Sequence, residues 1–367
     1  MVTLRDIAET AGVSIGTVDR ILHKRGRYSP ETARRVHQII EELGYRPNLM
    51  ARRLSGSRSC RIGVLLPEPE QDSGYWSIPL SGIKRAEKEL EPFGLTLEIR
   101  HFNRYEKQDS FIRAGRELLE KEPDGILITP LQEKASLDFL QQVDSRIPVI
   151  FFDTDLPGGR RTGYIGQDSY RSGALGARLL SVLTGGKKAF RESGDSRMPG
   201  RAYLIISPDS ENEHLQNRIR GFRENVPGET EILRVSVESD HNLEKFHRQL
   251  KRSIEFGESG KTRGIFVCDA SAHFVADYLA SGLIGASGDL PALLGYDLVK
   301  ENRRWLKEGI IDFLLTQRPG EQGYQGVNRL FRKIFLDEEF PETEYTPIDI
   351  VTRENLNYLC EEEGEWK

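Results

Sequence analysis

From Ile62 onward the chain alternates short apolar, β-rich runs with amphipathic helical stretches, and no other feature restricts the fold as much. The runs are IGVLLP (62–67), LTLEIRHF (95–102), GILITP (125–130) and PVIFFD (148–153). A second series follows as AYLIIS (202–207), EILRVSV (231–237), GIFVCD (264–269), ALLGYD (292–297) and DFLLTQ (312–317). Helical periodicity occupies stretches between and after them, at 80–91, 107–121, 171–183, 243–256 and 322–335. Continuous apolar runs joined by helical crossovers give parallel sheets with both faces covered. Two series in one chain therefore predict two doubly wound α/β lobes.

The first sixty residues obey a different period. Leu4, Ile7, Ala8 and Ala11 share one helical face, and Gly12-Val13-Ser14 breaks that helix. Ser14 is a natural N-cap for a second helix from Ile15 to about His23, with Val18 and Ile21 or Leu22 facing inward. Ser29-Pro30-Glu31 starts a third helix, whose inner face carries Ala33, Val36, Ile40 and Leu43 before Gly44 ends it. Two short helices about a glycine turn, closed by a third, make a small all-α helix-turn-helix domain.

Charge separates the same two regions. Residues 1–60 hold eleven Lys/Arg against six Asp/Glu, whereas the remainder holds 41 against 51. A basic head on an acidic body suits a polyanion-binding module joined to a domain with another task. The three cysteines (Cys60, Cys268, Cys360) are far apart and match no pairing motif. With no apolar run near membrane-span length and no apolar N-terminal segment, the expectation is a cytoplasmic protein that engages no membrane.

The strings VTLRDIAETAGVSIGTVDRIL and SPETARRVHQIIEELGYRPNLMARRL resemble the head of the LacI/GalR family of bacterial transcriptional regulators over about sixty residues. The resemblance implies that Ile15, Gly16 and Arg20 reach base edges in the major groove of double-stranded operator DNA. It places Ser14, Thr17 and His23 near phosphates or neighbouring bases. Arg20 suits a bidentate contact to guanine O6 and N7. Asp19 departs from the small serine usual in the family, which puts the usual operator sequence in doubt. Residues 47–60 match a hinge helix that orders on DNA, with Asn48 and Ala51 facing it and Leu54 as a minor-groove wedge.

The body resembles the type I periplasmic-binding-protein fold of the same family. Domains are accordingly expected at 1–46 (DNA binding), 47–60 (hinge) and 61–367 (ligand binding and dimerisation). The N-lobe is expected at about 61–168 and 318–343, and the C-lobe at about 169–317 and 344–367. In such sheets ligands sit at the carboxyl ends of strands. Here those ends carry Asp153, Asp168, Asp269, Asp297 and Gln317, although a single strand-end Asp is often only a helix cap. The resemblance adds Arg218 from NRIRGF, and Tyr75 and Trp76 as stacking residues. Asp269 stands where the family often has Asn, which implies a ligand rich in donors. A small polar effector, a sugar or sugar derivative, is expected, with a homodimer, no cofactor and no metal.

Two catalytic look-alikes fail on context. Gly12-Val13-Ser14-Ile15-Gly16 matches a nucleophile elbow, but a helix precedes the serine where a strand is required. The GESGKT run at 257–262 ends like a phosphate loop, yet a helix leads into it and a strand follows, the reverse of the required order. The seven histidines show no metal-ligand spacing. The rival readings are a solute-binding protein of a sugar transporter and a carbohydrate-active enzyme.

Overall fold

The computed structural model describes residues 4–22, 26, 28–43, 59–106, 109–185, 202–208, 212–227, 229–234, 240–256, 262–282 and 290–362. The chain divides into two compact units, 1–59 and 60–367. In the first, α1 (Leu4–Ala11), α2 (Ile15–Leu22) and α3 (Pro30–Glu42) enclose Ile7, Ala8, Ala11, Val18, Ile21, Val36 and Ile39. Gly12 turns the chain at φ +63°, a conformation that costs a residue with a Cβ extra energy. Ser14 Oγ accepts from Thr17 N–H at 3.1 Å and Ser29 Oγ from Thr32 N–H at 3.1 Å, so both helices begin on hydroxyl caps. One expectation is corrected. Leu43 is exposed, because α3 ends at Glu42 and the helical spacing stops before it, and Ile39 joins the core instead.

The second unit holds two six-stranded sheets. One comprises β1 (Cys60–Pro67), β2 (Leu95–Phe102), β3 (Gly125–Ile128), β4 (Val149–Phe152), β5 (Gly163–Gly166) and β11 (Thr343–Tyr345), in the order β11-β5-β4-β3-β1-β2. The other comprises β6 (Ala202–Ser207), β7 (Glu229–Arg234), β8 (Thr262–Val267), β9 (Ala292–Tyr296), β10 (Phe313–Thr316) and β12 (Asp349–Val351), in the order β12-β10-β9-β8-β6-β7. All neighbours are parallel except β12, which runs antiparallel to β10. The central strands are buried on both faces, as their unbroken apolar runs require.

Each sheet has its own core. Phe102, Phe111, Ile126, Phe139 and Phe151 lie in the first, while Tyr203, Phe222, Phe266 and Tyr296 lie on one face of the second. In each lobe the helix after the first strand packs on a helix that follows a crossing between lobes. α4 (Ser77–Leu90) meets α12 (Pro319–Leu336), and α8 (Glu213–Asn225) meets α7 (Ser169–Leu183). Glycines make both contacts close. A Cβ on Gly82 would sit 1.8 Å from Gly320 O, and one on Gly173 would sit 2.0 Å from Arg218 O.

The chain passes between the sheets at three segments that bond to one another. Gln167 Nε2 donates to Thr316 O at 3.2 Å, Thr346 N–H to Gly166 O at 2.7 Å, and Thr346 Oγ1 to Gln317 O at 2.9 Å. Strands 95–102 and 202–207 have the bounds the sequence predicts. The strand that leads to Asp168 is β5, whereas β11 and β12, three residues long and at the sheet edges, lie outside the two predicted series.

Candidate functional site

The carboxyl ends of the two sheets meet where the lobes join, and the strand-end side chains form one buried network there. Asp153 follows β4 and Asp297 follows β9, and both take left-handed backbone at φ +64°. Both also donate their backbone N–H to the next strand, to Ile165 O at 3.1 Å and Leu315 O at 2.8 Å. Left-handed aspartate is tolerable because its short polar side chain finds local partners. Here it turns each carboxylate off the end of its strand.

Tyr75 donates its hydroxyl to Asp153 Oδ1 at 2.5 Å. Gln317, on the segment leaving β10, donates Nε2 to Tyr75 Oη at 2.7 Å and to Asp153 Oδ1 and Asp297 Oδ2, each at 3.4 Å. Its Oε1 accepts from Arg218 at 2.9 Å. Arg218 also donates to Cys268 O at 2.8 Å and lies 3.9 Å over the ring of Tyr296. One amide thus ties the two lobes through four predicted residues. The network brings together Tyr75, Asp153, Arg218, Asp297 and Gln317.

Asp269, following β8, accepts from Ser271 N–H at 3.1 Å and from the Ser271 hydroxyl. Trp76 packs its edge against Tyr75 with ring centroids 4.9 Å apart, and its Nε1 donates to Asp72 at 2.6 Å. The indole is therefore pinned beside the network, and Tyr75 enters through its hydroxyl. Asp168 stands apart from these contacts. It caps α7, accepting from Arg171 N–H at 3.0 Å and pairing with the Arg171 guanidinium at 3.2 Å. Its neighbour Gln167 is the one turned into the crossing segments.

Asp72, Arg104, Thr154 and His214 also belong to the cleft, and the sequence does not predict them. Asp72, in a kinked turn at Gln71–Gly74, receives Arg104 and the Tyr105 hydroxyl besides Trp76. His214, one turn before Arg218 on α8, lies 3.3 Å from Thr154 Oγ1 of the other lobe. Arg104 and Thr154 lie just beyond β2 and β4 and His214 lies in the first turn of α8, but nothing in the local pattern sets them apart from ordinary loop and helix residues.

Burial dominates the electrostatics. It holds the carboxyls of Asp153 and Asp269 above their ordinary range, against the hydrogen bonds from Tyr75 and Ser271. Burial also pushes His214 well below 6.5, with Arg218 and Arg104 acting in the same direction, so the imidazole is neutral near pH 7. The Tyr75 hydroxyl is driven upward by burial and by the Asp153 and Asp297 charges, and stays a proton donor. Among the described residues no group of three or more His, Cys, Asp or Glu could hold a metal. The arrangement suits a small hydroxyl-rich molecule, which can give donors to carboxylates and acceptors to a guanidinium.

In the head, Ile15, Gly16 and Arg20 are exposed along α2 and Ser14 stands exposed at its start. Arg20 folds back, its Nε donating to Gly16 O at 2.9 Å and its Nη2 to Thr17 Oγ1 at 3.3 Å. His23, Asn48, Ala51 and Leu54 lie outside the described residues.

A family profile for periplasmic binding protein domains matches residues 62–334, and one for bacterial regulatory proteins of the lacI family matches residues 3–48. The chain belongs to the periplasmic binding protein domain family and carries a lacI-family domain at its head. Its relatives include the transcriptional regulator AscG of Escherichia coli (strain K12), 36% identical over 130 residues, or 35% of this chain and 37% of AscG. The match therefore spans about a third of that relative. The repressor PurR of Escherichia coli O1:K1 / APEC is 23% identical over 355 residues, covering 94% of this chain and 93% of PurR. Among solved structures, the glucose-galactose binding protein GanP of Geobacillus stearothermophilus superposes with TM-score 0.63 at 25% identity, over 82% of this chain and 99% of GanP. AscG is described as a transcriptional regulator and PurR as a transcriptional repressor. Among the described residues no helix is long and apolar enough to cross a membrane.

Proposed function

We propose that this chain is a lacI-type transcriptional regulator, a homodimer that binds a pseudo-palindromic operator and is controlled by a sugar-like effector held between its lobes. The observation that carries the reading is the Gln317 amide, which bonds Tyr75 and Asp153 of one lobe and Arg218 and Asp297 of the other. An effector that replaces those bonds with its own hydroxyls acts on both lobes at once. It can then shift an equilibrium between open and closed forms by its differential affinity for them. GanP's description as a glucose-galactose binding protein supports a sugar. The basic residues 1–46 serve as the DNA reader and 47–60 as the hinge. Tyr75, Trp76, Asp153, Arg218, Asp269, Asp297 and Gln317 line the effector site, and Ser14, Ile15, Gly16, Thr17, Arg20, His23, Asn48, Ala51 and Leu54 face DNA.

The test has two parts. A thermal-shift panel of sugars, run on the full chain, is expected to yield a compound that raises Tm; at 100 times its Kd it adds about 2.7 kcal/mol. That compound is then expected to change retention of genomic fragments in a gel-shift selection. Arg20→Ala is expected to weaken the selected fragment by about 1–3 kcal/mol and relax one base position, leaving binding to random DNA little changed. Equal loss on both DNAs would remove the readout role.

A further inference from the structure

Asp153 and Asp269 come from opposite lobes, and among the described residues neither meets a cation at hydrogen-bond distance. The side-chain donors to the Asp153 carboxylate are the Tyr75 and Thr154 hydroxyls and the Gln317 amide, and the donors to Asp269 are the backbone N–H and the hydroxyl of Ser271. The cations nearby are spent elsewhere. Arg104 is taken by Asp72. Arg218 gives its donors to the neutral oxygens of Cys268 and Gln317, and its buried Nε has no hydrogen-bond partner. His214 lies against Arg218 and Thr154, where a third positive charge is disfavoured. Besides Asp297, the cleft therefore offers two buried carboxylates whose hydrogen bonds all come from neutral groups and which Arg218 and Arg104 attract only from beyond hydrogen-bond distance, beside a guanidinium whose Nε still lacks an acceptor. Uncompensated buried charge is costly, and in the absence of a counter-ion the group protonates instead.

We propose, resting on the effector reading above, that the effector is a polyol carrying a protonated amine, with a hydroxyl or ring oxygen on Arg218 Nε and the ammonium satisfying Asp153 and Asp269. An ammonium has three donors and no acceptor, which is what two acceptor-only groups require. A carboxylate or phosphate on the effector would add to the negative charge already present. The amine class thus follows from the charge count, and the polyol from the mixture of acceptors and donors around it.

The test is calorimetry of the full chain at pH 7 against matched triads: glucose, glucosamine and glucuronate, with the corresponding galactose and mannose sets. In at least one set the amino sugar is expected to bind about ten-fold or more tighter than its neutral parent, and the uronate not to bind. Asp269→Asn is expected to fold and to remove that preference, so that parent and amino sugar bind alike. It is also expected to raise the Tm of the ligand-free protein at pH 8, because an uncompensated charge is gone. Neutral or acidic members binding as tightly as the amino sugar would overturn the amine and leave a sugar effector standing. No binding by any member would overturn both. A fall in Tm for Asp269→Asn at pH 8 would show a compensated structural carboxylate and overturn the charge argument independently of any sugar.

Discussion

The two lobes share a strand order, a crossover helix wedged by glycine, and an aspartate in left-handed backbone after the fourth strand of the series. They differ in what surrounds that aspartate. Asp153 sits among hydroxyls and aromatic rings, with Tyr75, Thr154 and Tyr164 close by. Asp297 sits on the lobe that brings Arg218 and His214, carried on a single helix. The backbone repeats and the side chains do not. A repeated scaffold thereby gives a cleft with two chemically distinct walls, able to orient a small molecule that has no symmetry of its own.

The largest perturbation of this comparison is steric. Gly173→Val places branched carbon where Arg218 O already stands, and Gly82→Val does the same against Gly320 O. Backbone cannot yield as a side chain can, so each is expected to lose about 3 kcal/mol or more in chemical denaturation. If the lobes are equivalent in construction the two losses should agree. A loss confined to Gly173→Val would make the C-lobe crossing the only demanding one.

A smaller effect separates the two aspartates. Asp153→Ala and Asp297→Ala each leave a Cβ in left-handed backbone, costing about 1 kcal/mol, while deleting one wall's acceptor. Both are expected to abolish the effector's thermal shift with the fold intact by circular dichroism. Retention of the shift in either variant would assign the site to one lobe alone.

The smallest effect is on pH. His214 binds its proton less readily folded than unfolded, so the folded state loses stability as pH falls below about 6.5. Asp153 and Asp269 have the opposite sign: their folded values are raised, and the stability they favour at low pH is lost as pH climbs through those values. His214→Gln is expected to flatten the acid side of a Tm–pH curve between about pH 7 and 5. Asp153→Asn is expected to flatten the side toward neutrality. An unchanged acid limb in His214→Gln would show that the imidazole titrates normally.

Much of this was written in local pattern. The strands 95–102 and 202–207 and the helix faces of the head follow from period and caps, since burial on a fixed face leaves a fixed repeat. Of the site, Asp153, Asp297 and Gln317 were legible because a strand end is a place that sequence marks. Arg104, Asp72, Thr154 and His214 were not. Their roles depend on the approach of a turn and a helix start from distant parts of the chain, which no window of a dozen residues records. Asp168 shows the converse: strand-end position and residue type suggested a ligand acceptor, while the nearest amide, Arg171 N–H, claimed it as a cap.

The late arrival of β11 bears on synthesis. The N-lobe sheet has five strands by Gly166, yet its edge pairs Thr343 with Tyr164, from a segment that leaves the ribosome far later. At ordinary elongation rates that gap is on the order of ten seconds or more. Throughout it β5 presents an unpaired edge, a template for another chain's strand. Nascent copies side by side on one message therefore share a hazard that the finished protein does not, and a holdase that shields strand edges would serve this chain most between the emergence of β5 and that of β11.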